Sequence, residues 1–187
     1  MTDRNLSSAI PKPSAFDTIV LGGLLAGTLD AVDGVIAFGF TGMNPIQVLQ
    51  YIASGLLGIA SFQGGLKTAA LGAVLHYFIA FAVAATYYGA SLKLPTLHIH
   101  PVKWGLTYGA AVYLVMNYFV LPLSAAPKSP FSAGLFLNGV IGHAIFVGFP
   151  VAWFAYRSAK QNEHSKRPED LEGNPCHFAR SKCLKGS

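Results

Sequence analysis

Two carboxylates interrupt an otherwise apolar stretch of this chain. Asp30 and Asp33 are three positions apart, so they lie on one face of a helix. A charged side chain near the centre of a bilayer costs about 2.5–3.5 kcal/mol on insertion scales. The apolar stretches at the same level contain neither Lys nor Arg to neutralise the pair. We therefore expect these carboxyls to be protonated, to pair with histidine, or to face water.

Four more polar side chains fall at the same two levels of the predicted helices. They are His76 and His143, level with Asp30 near mid-depth, and Asn117 and Asn138, level with Asp33 in the outer half. If the helices turn these faces inward, the six side chains form one cluster that can pass protons or bind a cation. The alternative is that they only hydrogen-bond helix to helix, for about 0.6 kcal/mol per pair.

The composition excludes an ordinary soluble domain. Of the 187 residues, 52% are hydrophobic and 11% are charged, against about 25% charged in typical soluble domains. Positions 34–162 contain no Asp or Glu, so this stretch cannot form a water-facing surface. We expect an integral membrane protein whose partner is the lipid bilayer. The net charge of +5 does not indicate a nucleic-acid partner in such a chain.

Four segments have the roughly 20 apolar residues that a bilayer core about 30 Å thick requires. They are residues 18–40, 66–90, 103–123 and 132–156, separated by clusters of Gly, Asn and Pro. The sequence predicts an all-α, polytopic bundle of four transmembrane helices over residues 18–156. An N-terminal tail, 1–17, precedes it, and a basic, disordered tail, 157–187, follows it.

The positive charges predict the orientation. All but two of the 13 Lys and Arg residues lie in the two tails or in the 91–103 loop, which share one side of a four-span bundle. The exceptions are Lys67 and Lys128. Because cytoplasmic loops carry the excess of Lys and Arg, both termini are predicted to be cytoplasmic.

Segment 45–62 is predicted to be an additional helix on the outer side. Asn44 is a suitable N-cap and Pro45 fits the first helical position. A narrow polar stripe runs along it, made of Gln47, Gln50, Ser54, Gly58 and Ser61. The helix either lies flat as an amphipathic helix or re-enters the membrane and lines a cavity. Gln47 and Gln50 are candidates for an outer vestibule.

Two short patterns recur along the chain. Glycines four residues apart open the first and third spans, at Gly23/Gly27 and at Gly105/Gly109, and residues 72–76 and 139–143 both begin with Gly and end with His. These matches indicate a duplicated helical hairpin, with chance as the alternative because glycine is common in membrane helices. Gly-x-x-x-Gly faces also allow close helix contact, so we expect a homo-oligomer formed through one of them.

The remaining motifs do not indicate an enzyme. Cys176 and Cys183 lie in the C-terminal tail and should be reduced thiols if it is cytoplasmic. His98 and His100 supply two metal ligands, whereas a structural site usually needs four. No nucleophile elbow, phosphate-binding loop or metalloprotease motif occurs in the sequence. We expect no catalytic residues, no metal and no cofactor.

Segment 75–157 resembles a known family. A helix carrying His76 is followed by a short basic loop, a helix opening with Gly105, then Asn117, and a last helix with Gly142-His143 and a basic exit at Arg157. This arrangement resembles the YagU-like group of small bacterial inner-membrane proteins. The resemblance implies a bacterial inner-membrane location and a stress-related role. It supplies no catalytic residues.

The functional hypothesis is a small transport or permeation protein for protons or a small cation. Asp30 and Asp33 would bind the ion, and His76 and His143 would exchange protons with them. The alternative is a non-transporting membrane scaffold or stress-related membrane protein. Transport needs a wet path to the aspartates, whereas a scaffold predicts a sealed and fully paired cluster.

Overall fold

The structure is a computed structural model that describes the backbone of residues 14–128 and 130–172, with side chains up to residue 163. Every regular element in these ranges is helical, so the all-α prediction is confirmed. Helix α1 is Ala15–Gly39, α2 is Pro45–Leu57, α3 is Gly65–Lys93, α4 is Thr96–Ile99 and α5 is Pro101–Leu123. Helix α6 comprises Ala133–Gly142, a π-helical segment His143–Gly148 and Phe149–Glu172.

Within the described residues, five helices are long and apolar enough to cross a membrane. They are Ala15–Gly39, Pro45–Gln63, Gly65–Lys93, Pro101–Leu123 and Ala133–Glu163. Large apolar side chains such as Leu66, Phe78 and Leu137 are exposed along them. Such an apolar outer surface is unfavourable in water and typical of a protein in lipid. These helices are compatible with the membrane bundle that the sequence predicts.

Side-chain caps define where the first two helices begin. The Ser14 hydroxyl accepts from the backbone N–H of Asp17, whose carboxylate accepts from the N–H of Ser14. Asn44 and Gln47 make the same reciprocal pair at the start of α2, at 2.9 and 3.0 Å. Such capping boxes satisfy two backbone donors that a helix end leaves free. At the other end of α2, Gly58 has a φ of +61°, which only glycine adopts readily.

Helices α1 and α3 pack antiparallel through glycines. A Cβ at Gly27 would lie 3.0–3.1 Å from Ala80 and Tyr77, and one at Gly23 would clash with Phe81. Lower residue numbers in α1 thus pair with higher residue numbers in α3. The C-terminal end of α1 therefore lies beside the N-terminal end of α3. The segment 45–63 joins these two neighbouring ends.

Helices α5 and α6 repeat this packing in the same register. Gly109 faces Ala144, one residue after His143, just as Gly27 faces Tyr77, one residue after His76. Gly105 faces Gly148, five residues after His143, and Gly23 faces Phe81, five residues after His76. This shared register supports the duplicated hairpin that the sequence patterns indicate.

The glycine faces are therefore used within the chain. Gly23, Gly27, Gly105 and Gly109 are all buried between helices of one molecule. Each face thus holds a helix hairpin together, and the homo-oligomer stays a prediction.

The part of the bundle away from segment 45–63 is packed with small side chains and Tyr87. Residues with almost no exposed surface meet there from α1, α3 and α6: Ala26, Ala84, Tyr87, Val147, Val151, Ala152 and Ala155. The Tyr87 hydroxyl donates to the carbonyl of Leu97 in α4 at 3.1 Å. Helix α6 continues to Glu172, past the predicted span end at 156 and into the segment assigned to the tail. Cys176 and Cys183 lie outside the described residues.

Candidate functional site

A cavity of about 460 Å³ lies between α1, α2, α5 and α6, with one side chain from α3. All six polar side chains that the sequence singled out at membrane depth line it: Asp30, Asp33, His76, Asn117, Asn138 and His143. The expectation of one polar cluster therefore agrees with the arrangement of the helices. These residues come from four helices, so the cluster depends on the tertiary packing of the bundle.

Asp30 faces His143 inside the cavity. The Nδ1 atom of His143 lies 3.3 Å from Oδ1 of Asp30. This contact lacks hydrogen-bond geometry, and the buried Nδ1 atom has no other hydrogen-bond partner among the described residues. The side chains are 18% exposed for Asp30 and 22% for His143. The pair is thus close enough for electrostatic attraction when His143 carries a proton, and part of each side chain lies at the cavity surface.

Asp33 is held by the neighbouring face of α6. The Asn138 amide donates a hydrogen bond to Oδ2 of Asp33 at 2.9 Å. Gly142 lies one turn further along α6, and a Cβ there would lie 2.5 Å from the same oxygen. Because Gly142 has no side chain, there is room for the Asp33 carboxylate. Asn138 supplies a hydrogen-bond donor that compensates part of the desolvation of this carboxylate.

His76 and Asn117 contact backbone carbonyls. Nε2 of His76 lies 2.8 Å from the Gly27 carbonyl, and since a carbonyl only accepts, Nε2 carries the hydrogen of this bond. The Asn117 amide donates to the Tyr113 carbonyl at 3.0 Å. His76 is thus tied to α1, whereas His143 directly faces a carboxylate, which makes the two histidines unequal.

Both π-helical segments lie at this cavity. Asn117 is in Met116–Val120 and His143 begins His143–Gly148. A π-helical turn inserts one extra residue and rotates the side chains that follow, and such turns are frequent at functional sites. Sequence periodicity assumes a regular helix and did not predict either segment.

Aromatic rings form much of the remaining wall, and the sequence-based reasoning missed them. They are Phe38, Tyr51, Tyr113, Tyr118, Phe131 and Phe136. Spacing offered a signal, because Tyr113 is four residues before Asn117 and Phe136 is seven before His143, on the same helical faces. Phe38 is likewise eight residues after Asp30. The spacing would have extended the polar cluster into a partly aromatic site.

Gln47 and Gln50 do not line the cavity. Gln47 caps α2, and Gln50 is 4% exposed, with its amide donating to the Gly65 carbonyl at 3.0 Å and to the Thr68 hydroxyl at 3.3 Å. The residues that α2 contributes to the cavity are Val48, Leu49, Tyr51 and Ile52. Gln50 is therefore a helix–helix contact and not a vestibule residue, whereas the exposed Gln47 caps α2 and its vestibule assignment stays a prediction.

The cavity offers carboxylate and imidazole chemistry. None of the described residues that line it is Lys or Arg, so its formal charge is negative when the aspartates are ionised. The described residues contain no group of three or more His, Cys, Asp or Glu side chains placed to hold a metal ion. What the geometry favours is proton exchange between Asp30 and His143, or attraction of a cation.

Comparisons of the chain with family models, with curated proteins and with solved structures find no match. The resemblance to the YagU-like group thus depends on the residues quoted above alone.

Proposed function

We propose that the protein is a small membrane transport or permeation protein that binds a proton or a cation at Asp30 and Asp33. The observation that carries this proposal is the Asp30–His143 contact of 3.3 Å inside the cavity. A carboxylate beside an imidazole can accept and release protons over a short distance. Asp33, supported by Asn138, supplies the second anionic group.

The incomplete pairing of Asp30 and His143 favours transport over a scaffold. A purely structural cluster should be sealed and fully hydrogen-bonded, because a buried polar atom without a partner is unfavourable. Here Asp30 and His143 are each about one-fifth exposed, and the buried Nδ1 of His143 has no hydrogen-bond partner among the described residues. We take this open pairing as support for a site that exchanges protons or binds a cation.

The proposed topology has four crossings, formed by α1, α3, α5 and α6. Helices that pack antiparallel cross a membrane in opposite directions, so α2, which links antiparallel α1 and α3, makes no net crossing. Together with the Lys and Arg distribution, this arrangement supports a topology with both termini in the cytoplasm and α2 on the outer side. The family resemblance suggests a bacterial inner membrane.

Ion flux in proteoliposomes tests the function. We would impose a pH gradient or a Na⁺ or K⁺ gradient and compare the parent with Asp30→Asn/Asp33→Asn. Asp17→Asn is the matched control, since it removes a carboxylate from the same helix outside the cavity. Flux in the parent and the control, reduced to the level of empty liposomes in the double variant, would support the proposal. A correctly folded parent that gives no flux above empty liposomes would overturn it.

A further inference from the structure

We propose that the cavity binds an organic ammonium ion, with its charged nitrogen at Asp30 and Asp33 and its apolar body against the aromatic wall. This inference deepens the proposed function, because it uses the same carboxylates, and it names the class of ligand. Three properties of the cavity carry it: its volume, the order of its side chains and the sign of its charge.

The volume exceeds what an inorganic ion requires. At about 460 Å³, the cavity is within the roughly 300–1,000 Å³ typical of small-molecule sites, whereas one water occupies about 30 Å³ of liquid. A dehydrated Na⁺, K⁺ or Ca²⁺ needs oxygen ligands close by on all sides. The described residues contain no group of three or more His, Cys, Asp or Glu side chains placed to hold a metal ion, so the two carboxylates do not provide such a shell. They do suit one charged nitrogen attached to a larger body.

The side chains are ordered from charged to aromatic. Tyr113 contacts the His143 ring edge-on at a centroid distance of 5.2 Å, and Phe136 contacts Tyr113 at 5.8 Å. Phe131, 77% exposed, lies 5.8 Å from Phe136. A continuous row of rings therefore leads from the Asp30–His143 pair to the 124–132 connection. A ligand with a charged head and an apolar tail would match this gradient along its length.

The sign of the charge selects a cation. With both carboxylates ionised and His76 and His143 neutral, the cavity carries a net negative charge, and the described residues lining it include no Lys or Arg. Aromatic faces attract ammonium groups, by about 0.5–1 kcal/mol where exposed and about 2 kcal/mol or more where desolvated. An anion would be repelled by the ionised carboxylates of Asp30 and Asp33. A neutral apolar molecule would leave the carboxylates without a compensating charge.

Calorimetric titration of the purified full chain in detergent or nanodiscs tests the ligand class. The probes are 2-phenylethylammonium, its neutral isostere 2-phenylethanol, and Na⁺. We expect 2-phenylethylammonium to bind at least about tenfold more tightly than the alcohol. Na⁺ at the same concentration should give no comparable heat. Equal affinity for amine and alcohol, or no binding of the amine to folded parent protein, would overturn the inference; neither comparison requires a variant.

Two variants locate the site. Asp33→Asn keeps the shape of the side chain and should weaken amine binding about tenfold or more, as should Phe136→Leu. Phe78→Leu is the matched control, because Phe78 is 69% exposed on α3 and is not part of the cavity. Thermal unfolding would establish that each variant is folded. Retained binding in both folded cavity variants, or an equal loss in Phe78→Leu, would place the ligand elsewhere.

The two proposals can fail separately. Proton or Na⁺ flux that depends on Asp30 and Asp33, without amine binding, would overturn the ligand class and leave transport standing. Amine binding at these residues without any flux would overturn transport and leave the ligand class standing. The cavity would then be a binding site in a protein that does not transport.

Discussion

The Nδ1 atom of His143 and the Oδ1 atom of Asp30 are 3.3 Å apart, yet they do not have hydrogen-bond geometry. A structural pair would be expected to align, since an aligned charge-assisted bond is shorter and stronger. The backbone adds to this finding, because His143 is the first residue of a π-helical segment. The local winding of α6 thus sets where this imidazole lies relative to the carboxylate.

The two histidines should differ in their effect on proton flux. His143→Gln removes the ring that faces Asp30, so proton flux in proteoliposomes should fall about 100-fold, the lower end of what a positioned proton-transfer group contributes. His76→Gln keeps an N–H that can donate to the Gly27 carbonyl, so its flux should remain close to that of the parent. Equal losses in both variants would indicate a packing effect, and normal flux in His143→Gln would remove the imidazole from the pathway.

Gly142→Ala should impair the site by displacing Asp33. The added methyl would lie 2.5 Å from Oδ2 of Asp33, so the carboxylate must move and its hydrogen bond from Asn138 must lengthen. We expect a loss of about 1–3 kcal/mol in unfolding free energy together with reduced flux. Gly89→Ala is the control, because nothing lies within 4 Å of a Cβ there, and it should stabilise α3 by about 0.5–1 kcal/mol. Unfolding in detergent and liposome flux measure the two effects.

The sequence predicts the helical class and the six polar cavity residues because both depend on one-dimensional patterns. Apolar length predicts a membrane helix, and the levels of Asp30, His76 and His143 follow from counting along each helix. Rotation about the helix axis is not determined by such counting. The sequence pattern therefore does not show which neighbour the polar stripe of α2 faces. In the structure Gln50 faces α3, where its amide donates to the Gly65 carbonyl and to the Thr68 hydroxyl.

The side-chain pairings inside the cavity could not be predicted from the sequence, for a related reason. That Asp30 meets His143 while His76 meets a carbonyl depends on the contact between the two hairpins and on the π-helical turn at 143. Neither leaves a clear periodic signal in the sequence. The glycines were recognised as contact faces, but their sequence spacing does not say whether the partner helix belongs to the same molecule.

The duplicated glycine contacts should not be equally tolerant of substitution. At Gly109 a Cβ would run into backbone atoms of His143 and Ala144, whereas at Gly27 it would meet only side-chain atoms of Ala80 and Tyr77. Backbone cannot move without separating α5 from α6. Gly109→Ala should therefore lower the unfolding free energy by about 3 kcal/mol and Gly27→Ala by about 1 kcal/mol. Thermal unfolding in detergent compares them; a larger effect at Gly27 would contradict the packing described.

Substitution of Gln50 should affect stability and leave transport intact. Gln50→Ala removes a buried amide and leaves the Gly65 carbonyl and the Thr68 hydroxyl without that donor, at a cost of about 1–3 kcal/mol. Flux per folded molecule should match that of the parent, since Gln50 is not part of the cavity. Gln47→Ala should lower the unfolding free energy by about 1 kcal/mol, because it removes part of the capping box of α2. Altered ion selectivity in either folded variant would support the vestibule assignment.

Labelling of single cysteines tests the four-crossing topology. After Cys176→Ser/Cys183→Ser, cysteines are introduced as Thr41→Cys, His98→Cys or Lys128→Cys and exposed to a membrane-impermeant maleimide in intact cells. With α2 making no net crossing, positions 41 and 128 are on the same outer side and label alike, while position 98 labels only after lysis. A fifth crossing by α2 would put 41 and 128 on opposite sides, so labelling at only one of them contradicts the antiparallel packing of α1 and α3. Either pattern also shows on which side of the membrane the nearby ring of Phe131 lies.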